Sequence, residues 1–463
     1  MIFSLCRPVI LDESEIDEVR IMAGGEWIRE RWWYRLIQVC RRWRYLVLES
    51  AHYLQVSIVC ARGTPVADML AHSPPVPLVI DHFDKYPDLT VEDEEGIILA
   101  LRHRDRVRRI RFVKPIPILQ KLIVALDGDF PVLEHLFIQD RLYHERTIKY
   151  DTNFNFPETF RAPHLRHLVL TNFAYPIESL SLTNMANLVT LSLSLIPFSA
   201  YFHPNALLQR LLLIPQLETL GITFNSYNPS RDVETQLLRT PITTPVTLPN
   251  LRWLEFGGTN TYLEALLPWI TIPLLDKLQI YFFNRMIYSV PHLRQFMGTA
   301  RNIRLKTATF LFLQHCLTVR AYPNKGAESY TFYLELGGKH FDWQVVSAAQ
   351  VFQALKTAFS ALEHLTLKYL RPNMSSEWNN QADRAHWRDL LGSFGKVKTL
   401  RVEYGLVEQV SRVLQPGEGE SPTGLFPELQ ELSYSSRRSS RDAFTLFIDA
   451  REKAGHPVNV VYF

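Results

Sequence analysis

The sequence predicts an α/β solenoid, an open array of short strands joined by connectors, and three observations predict it. One pattern, apolar-x-x-apolar-x-apolar, returns from about residue 100 onward. Many copies are introduced by an apolar–Pro pair, and consecutive copies start 23 to 35 residues apart (165 to 188, and 362 to 397), leaving aside one long gap. Self-similarity at such a period marks a stack of supersecondary units, none of which buries its own apolar face alone.

In order, the pattern reads Val107-Ile110-Phe112, Leu133-Leu136-Ile138, Leu165-Leu168-Leu170, Leu188-Leu191-Leu193 and Leu217-Leu220-Ile222. It continues as Leu251-Leu254-Phe256, Leu275-Leu278-Ile280, Leu362-Leu365-Leu367, Val397-Leu400-Val402 and Leu429-Leu432-Tyr434. The last two apolar positions lie two residues apart, so they share one face of a strand. Between Ile280 and Leu362, Ala300-Ile303-Leu305 and the alternating Phe332-Leu334-Leu336 are expected to supply strands. Upstream, Leu54-Val56-Ile58 alternates like a strand, Thr64-Pro65 reads as the cap and first residue of a helix over 66–70, and Leu78-Ile80 is the next strand. At the far end Ser439 and Asp442 form a candidate capping box ahead of Phe444, Phe447 and Ile448; that helix and a final Val458-Val460-Tyr462 strand are expected to close the array as a cap over 439–463. The pattern resembles leucine-rich repeats of an irregular kind, which implies an irregular horseshoe.

Composition bounds the function. Apolar residues make up 47% of the 463, ample for a core, and 50 basic against 47 acidic side chains leave a net charge of +3. That balance argues against bulk electrostatic binding to nucleic acid or an anionic membrane. Cys6, Cys40, Cys60 and Cys316 are scattered with no Cys-x-x-Cys pair, as expected of reduced thiols in the cytoplasm or nucleus. No apolar run approaches the roughly 18–20 residues that span a bilayer. The opening seven residues are too short for a signal-peptide core, and Asn373-Met374-Ser375 reads as an ordinary turn.

Near the N-terminus, Leu36, Val39, Trp43 and Leu46 recur at helical spacing and make one apolar stripe on a helix over about 30–50, widened by Trp32, Ile37, Cys40 and Val47. From the residues alone this is an amphipathic helix packed on the first repeat. The order Leu-x-x-Val-Cys-Arg-Arg-Trp-Arg resembles the second half of an F-box, the helical module that docks on the Skp adaptor of cullin ubiquitin ligases. An F-box opens with a Leu-Pro-x-Glu/Asp-x-Leu segment; Met1-Ile2-Phe3-Ser4-Leu5 resembles only its tail, so the F-box-like segment, placed at 1–53 ahead of repeats over 54–463, is truncated. With Thr64-Pro65-Val66 and the irregular repeats, the chain resembles fungal F-box-like proteins. The resemblance implies a non-catalytic receptor that docks through Trp32, Leu36, Val39, Cys40, Trp43 and Leu46 and recruits an unidentified protein substrate to a Skp–cullin ligase.

A repeat array presents the residues between its buried leucines on a sheet face. Phe137, His167, Trp253, Lys277, Tyr281, His364 and Arg401 are the candidate partner surface, and such aromatics favour a protein contact over solvation. The Arg102–Arg111 stretch reads as the solvated face of an early strand, with phosphate or an acidic partner as alternatives. His135, His164, His167 and His364 form no metal-spaced set, Gly417-Glu418-Gly419-Glu420 lacks the glycine spacing of a phosphate loop, and no Ser/His/Asp or Cys/His arrangement can be placed. Neither a cofactor nor an enzymatic site is expected. Two alternatives to the receptor remain: a repeat scaffold without adaptor binding, and a nucleic-acid-binding protein using the arginines.

Overall fold

The computed structural model describes residues 36–49, 57–72, 75–83, 89–141, 156–172, 177, 186–197, 200–225, 239, 241–283, 289–338, 340–370, 384–403, 405–417, 420–435 and 442–463. The chain divides into two compact units, Met1–Tyr201 and Phe202–Phe463. Both are mixed α/β, with parallel strands in one-to-one register.

In the first unit six strands lie side by side in chain order, β1 (Ile58–Cys60), β2 (Leu78–His82), β3 (Val107–Lys114), β4 (His135–Asp140), β5 (His167–Thr171) and β6 (Thr190–Ile196), every pair parallel. Register aligns the motif's apolar positions across strands: Cys60, Ile80, Ile110, Leu136, Leu168 and Leu191 form one fully buried row. Helices Val66–His72, Val91–Arg102 and Ile116–Val124 fill the first connectors. Val107 and Ile110 are three residues apart, yet both are buried. A bulge reconciles this, because Leu78 pairs with Val107 and Val79 with Arg109, leaving Arg108 as the extra residue.

The apolar–Pro introductions are β-turns. Leu133, Leu165, Leu217, Leu251 and Leu429 each donate their N–H to the carbonyl three residues back, on Phe130, Ala162, Ile214, Leu248 and Phe426, at 3.0–3.4 Å. The prolines at 131, 163, 215, 249 and 427 sit second in these turns, where a fixed φ near −65° fits without strain. Each motif leucine thus closes a turn below its strand, and the two that follow point to the helices.

In the second unit β7 (Thr219–Phe224), β9 (Trp253–Gly258) and β11 (Lys277–Phe282) are parallel neighbours, and β8 (Val246–Thr247) and β10 (Ile270–Thr271) form a separate two-stranded parallel sheet. Beyond β11 the chain breaks its own rule. β12 (Thr307–Phe312), β13 (Cys316–Tyr322) and β14 (Phe332–Gly337) form an antiparallel meander inserted in reverse order, so that β11 pairs with β14 and β12 pairs with β15 (His364–Tyr369). Parallel pairing then resumes through β16 (Thr399–Val402), β17 (Glu431–Tyr434) and β18 (Asn459–Tyr462). The strand expected over Phe332–Leu336 is present. That expected over Ala300–Leu305 is not: those residues are a connector, and the strand starts at Thr307, where the inward Ala308, Phe310 and Phe312 begin a period-two alternation.

Helix Phe341–Ala354 covers the meander on the buried side. Phe352 lies 4.9 Å from Phe310, 4.9 Å from Phe359 and 5.7 Å from Phe394, centroid to centroid, and Trp387 lies 5.6 Å from Phe312. At the C-terminal end, helix Thr445–Lys453 has no side-chain cap, and Ser439 lies outside the described residues; Asp442 contributes its backbone carbonyl, not its side chain, to Thr445. What anchors this helix is Arg451. Its buried guanidinium donates to the carbonyls of Phe426 (3.2 Å), Leu429 (3.3 Å) and His456 (3.3 Å), tying the last helix to the turn of the preceding repeat.

The N-terminal helix also differs from expectation. It is interrupted: residues 36–37 are helical, a turn at 38–39 and Cys40 follow, and a new helix runs Arg41–Glu49, while residues 30–35 lie outside the described ones. The Cys40 sulfur accepts the Trp43 N–H at 3.5 Å, occupying the place of an N-cap side chain.

Candidate protein-binding surface

The sheet face turned away from the helices carries the residues between the motif leucines. In the second unit its middle is aromatic. Trp253 on β9 and Lys277 on β11 are register partners, and the Lys277 ammonium lies 4.2 Å from the Trp253 ring centroid and 4.6 Å from that of Tyr330. Such a cation between two π faces gains roughly 1–2 kcal/mol per desolvated contact. Gln279, next outward on β11 and buried, accepts from Trp253 Nε1 at 3.3 Å and donates to the Tyr330 hydroxyl. Tyr281 packs on Tyr333 at 5.1 Å, Tyr333 on Tyr330 at 5.6 Å, and the Tyr333 hydroxyl donates to Glu335 at 2.9 Å.

Burial, and then the charge of Glu255, pushes the Tyr281 phenol far above its ordinary range; burial and then Glu335 do the same for Tyr333. Both stay neutral hydrogen-bonding groups near neutral pH. Burial followed by Glu335 pushes the Cys316 thiol up to about 12, so it stays protonated and unreactive there. The arrangement holds large rings, Trp253, Tyr281 and Tyr330 half-buried and Tyr333 buried, with the polar groups of Trp253, Tyr330 and Tyr333 hydrogen-bonded, which is how protein-binding hot spots are built.

The structure thus brings Trp253, Lys277 and Tyr281 together. His364 and Arg401 lie on the same face beyond the meander, on β15 and β16. Arg401 stacks over Phe463 at 3.9 Å and reaches Glu403 at 3.6 Å; burial, then Lys325, lowers the pKa of His364 and favours its neutral form. Tyr330, Tyr333, Arg320 and Glu335 were missed from the sequence. Alternation around Phe332, Leu334 and Leu336 carried the signal for Tyr333 and Glu335. Nothing local marked Tyr330, which reaches Lys277 from the β13–β14 connection.

Phe137 and His167 belong to the first unit. There His135 stacks on His167 at 4.3 Å with rings 7° from parallel, and His167 Nδ1 lies 3.1 Å from the Thr190 hydroxyl. Burial, then Arg109, lowers the His135 pKa to about 2. Arg111 covers Phe83 at 4.2 Å and Phe137 at 5.9 Å. The arginine stretch is engaged within the protein: Arg106 donates to the Val76 carbonyl at 3.1 Å, Arg108 pairs with Glu134 at 2.9 Å, and Arg111 lies 3.7 Å from Asp81.

On the N-terminal segment Trp32 lies outside the described residues. Leu36 and Trp43 are half-buried and Cys40 is exposed, while Val39 and Leu46 are 60% and 39% exposed; Val47, one position on, is buried. Among the described residues no group of histidine, cysteine and carboxylate side chains could hold a metal, and no helix is long and apolar enough to cross a membrane.

No family model and no curated protein matches this sequence. Among solved structures, the leucine-rich repeat-containing protein LegL7 from Legionella pneumophila is similar over 67% of this chain and 89% of its own, at 13% identity and a TM-score of 0.24. A superposition of that quality carries no argument.

Proposed function

We propose that the chain is a non-catalytic protein-interaction scaffold whose second unit holds its partner on the open sheet face around Trp253, Lys277, Tyr281 and Tyr330. The observation that carries this reading is the Lys277 ammonium held between Trp253 and Tyr330, a pre-ordered aromatic platform on a rigid sheet. Pre-ordering lowers the entropy cost of association, so a partner gains most of the contact energy. Cross-linked co-purification from cells with wild-type chain and with Trp253→Ala tests it. A partner that binds purified wild type and loses at least about tenfold affinity for the variant supports the reading. Equal retention overturns it.

The finer reading is a substrate receptor that docks on a Skp adaptor through the segment around the helix Arg41–Glu49. The exposure of Val39 and Leu46 favours it, because the core leaves those apolar groups available for a helix-in-groove contact. Titration with purified adaptor decides it: micromolar binding lost in the Leu36→Ala, Trp43→Ala double variant supports docking, and no binding leaves the scaffold alone. The protein partners of Arg106, Arg108 and Arg111 give the nucleic-acid alternative no support.

A further inference from the structure

On the open face of the first unit, register sets the side chains in rows. Arg109, His135, His167 and Thr190 are partners across β3–β6, and Arg111, Phe137, Val169 and Ser192 form the next row. One step before the first row the backbone ladders Arg108, Glu134 and Arg166. The Glu134 N–H donates to the Arg108 carbonyl at 2.8 Å, and the Arg166 N–H to that of Glu134 at 2.9 Å. Phe137 and Val169 are half-buried, so the second row is apolar at its centre.

Charge on this face is one-sided. β3, β5 and β6 carry no carboxylate, and Asp140 on β4 is buried, where it accepts from Asn172 Nδ2 at 3.0 Å. Glu134 and Asp81, which border the rows, are held by Arg108 at 2.9 Å and Arg111 at 3.7 Å. Arg166 is exposed, and its guanidinium makes no hydrogen bond or ion pair among the described residues. After burial, what disfavours a proton on His135 is positive charge on Arg109, His167, Arg108 and Arg166. The field that keeps a proton off this imidazole draws an anion to the same place.

We infer that the open face of the first unit binds an acidic peptide, with carboxylates against Arg166 and the His135–His167 stack and apolar side chains against Phe137 and Val169. The two rows call for that pairing of acid with apolar group. A peptide fits better than a nucleic acid. A phosphate backbone is held by a line of available cations, and Arg106, Arg108 and Arg111 are already engaged within the protein. An isolated guanidinium beside apolar side chains suits instead one or two carboxylates on a chain that also carries apolar groups. These residues are separate from the platform around Trp253 and Lys277, so the inference stands whatever that platform binds.

Peptide display on the full chain, counter-selected on Arg166→Glu, tests it. Peptides that use the aromatic platform bind both chains and drop out. The survivors should carry two or more Asp or Glu residues next to apolar ones. In titrations of purified chain they should lose at least about tenfold affinity in Arg166→Glu, where an attraction becomes a repulsion, and a smaller factor in Arg166→Gln, which only removes the charge. Arg301→Glu makes the same charge change on an exposed turn of the second unit and should shift affinity less than about twofold. Because Arg166 gives only its backbone to the ladder, all three variants should keep the wild-type circular dichroism spectrum and denaturation midpoint. Survivors that are neutral or basic, or no survivors at all, overturn the inference. So do equal losses in Arg166→Glu and Arg301→Glu, or a thymidine oligonucleotide that binds through Arg166 and displaces the acidic peptides.

Discussion

In the first unit the open sheet face around β3–β6 carries Arg109, Arg111, His135 and His167; in the second, the face around β9–β14 carries Trp253, Lys277, Tyr281 and Tyr333. The helix-facing rows of the two are interchangeable in kind: Ile110, Leu136, Leu168 and Leu191 in one, Leu220, Leu254, Leu278 and Leu365 in the other, all buried. The repeat motif constrains the inward positions because a wrong side chain there opens a cavity or buries an unpaired polar group. It leaves the intervening positions free, so chemistry diverges there while the scaffold repeats. One face is imidazole and guanidinium, the other aromatic.

The largest expected effect belongs to the shared, inward part. Phe352 touches Phe310, Phe359 and Phe394, and Phe352→Ala should cost about 3–5 kcal/mol of unfolding free energy, with Leu168→Ala in the first unit costing about 2–4 kcal/mol. Urea denaturation of each variant measures this. A loss under about 1 kcal/mol at both sites would break the claim that the inward rows carry the stability.

A smaller effect separates the two faces by pH. His135 titrates at about 2 in the folded chain against 6.5 when exposed, its proton disfavoured by burial and by Arg109. A neutral imidazole is thus required by the fold but not by the unfolded chain. Its contribution is complete above about pH 6.5 and declines as pH falls below that, by at most about 1.4 kcal/mol per unit, less as water reaches the partly exposed ring. The raised phenols of Tyr281 and Tyr333 act at the other end, losing their contribution only as pH rises past the ordinary tyrosine value of about 10. Comparing denaturation midpoints at pH 7 and pH 5, His135→Asn should shrink the wild-type acid loss and Tyr281→Phe should leave it unchanged. An identical acid loss in wild type and His135→Asn would remove the histidine from the argument.

How legible this was follows from periodicity. Leu136, Leu168, Leu254 and Leu400 could be placed on the inward face from spacing alone, and with them the open-face neighbours Trp253, Lys277 and Tyr281. The meander β12–β14 could not be ordered, because antiparallel strands two residues in period look the same whichever neighbour they choose. Its Tyr330 and Arg320 consequently escaped notice. The break at 38–40 in the helix expected over 30–50 is hidden for a different reason: a continuous apolar stripe persists through a turn, and only the Cys40 sulfur shows where the helix Arg41–Glu49 begins.

The smallest effect concerns the turn that both units share, and it is the sharpest test of whether the repeat is one structure written many times. Four copies lack the proline, with Asp105, Ala186, Ser360 and Gly395 in its place, and the last two lie in the second unit. Ser360 spends its N–H on the Thr357 carbonyl, so proline there would break a bond. Gly395 differs. The turn it belongs to closes from Val397 N–H to the Phe394 carbonyl at 3.3 Å, the same closure that Leu217 makes to Ile214 around Pro215. Its φ is not in the left-handed region, and a Cβ there would meet nothing within 4 Å. Gly395→Pro should therefore stabilise the chain by about 0.4–1 kcal/mol, through the conformational freedom removed from the unfolded state, and Pro215→Gly should cost a similar amount. If instead Gly395→Pro destabilises while Pro215→Gly does what is expected, the two turns differ in backbone and the repeats are alike only in their leucines.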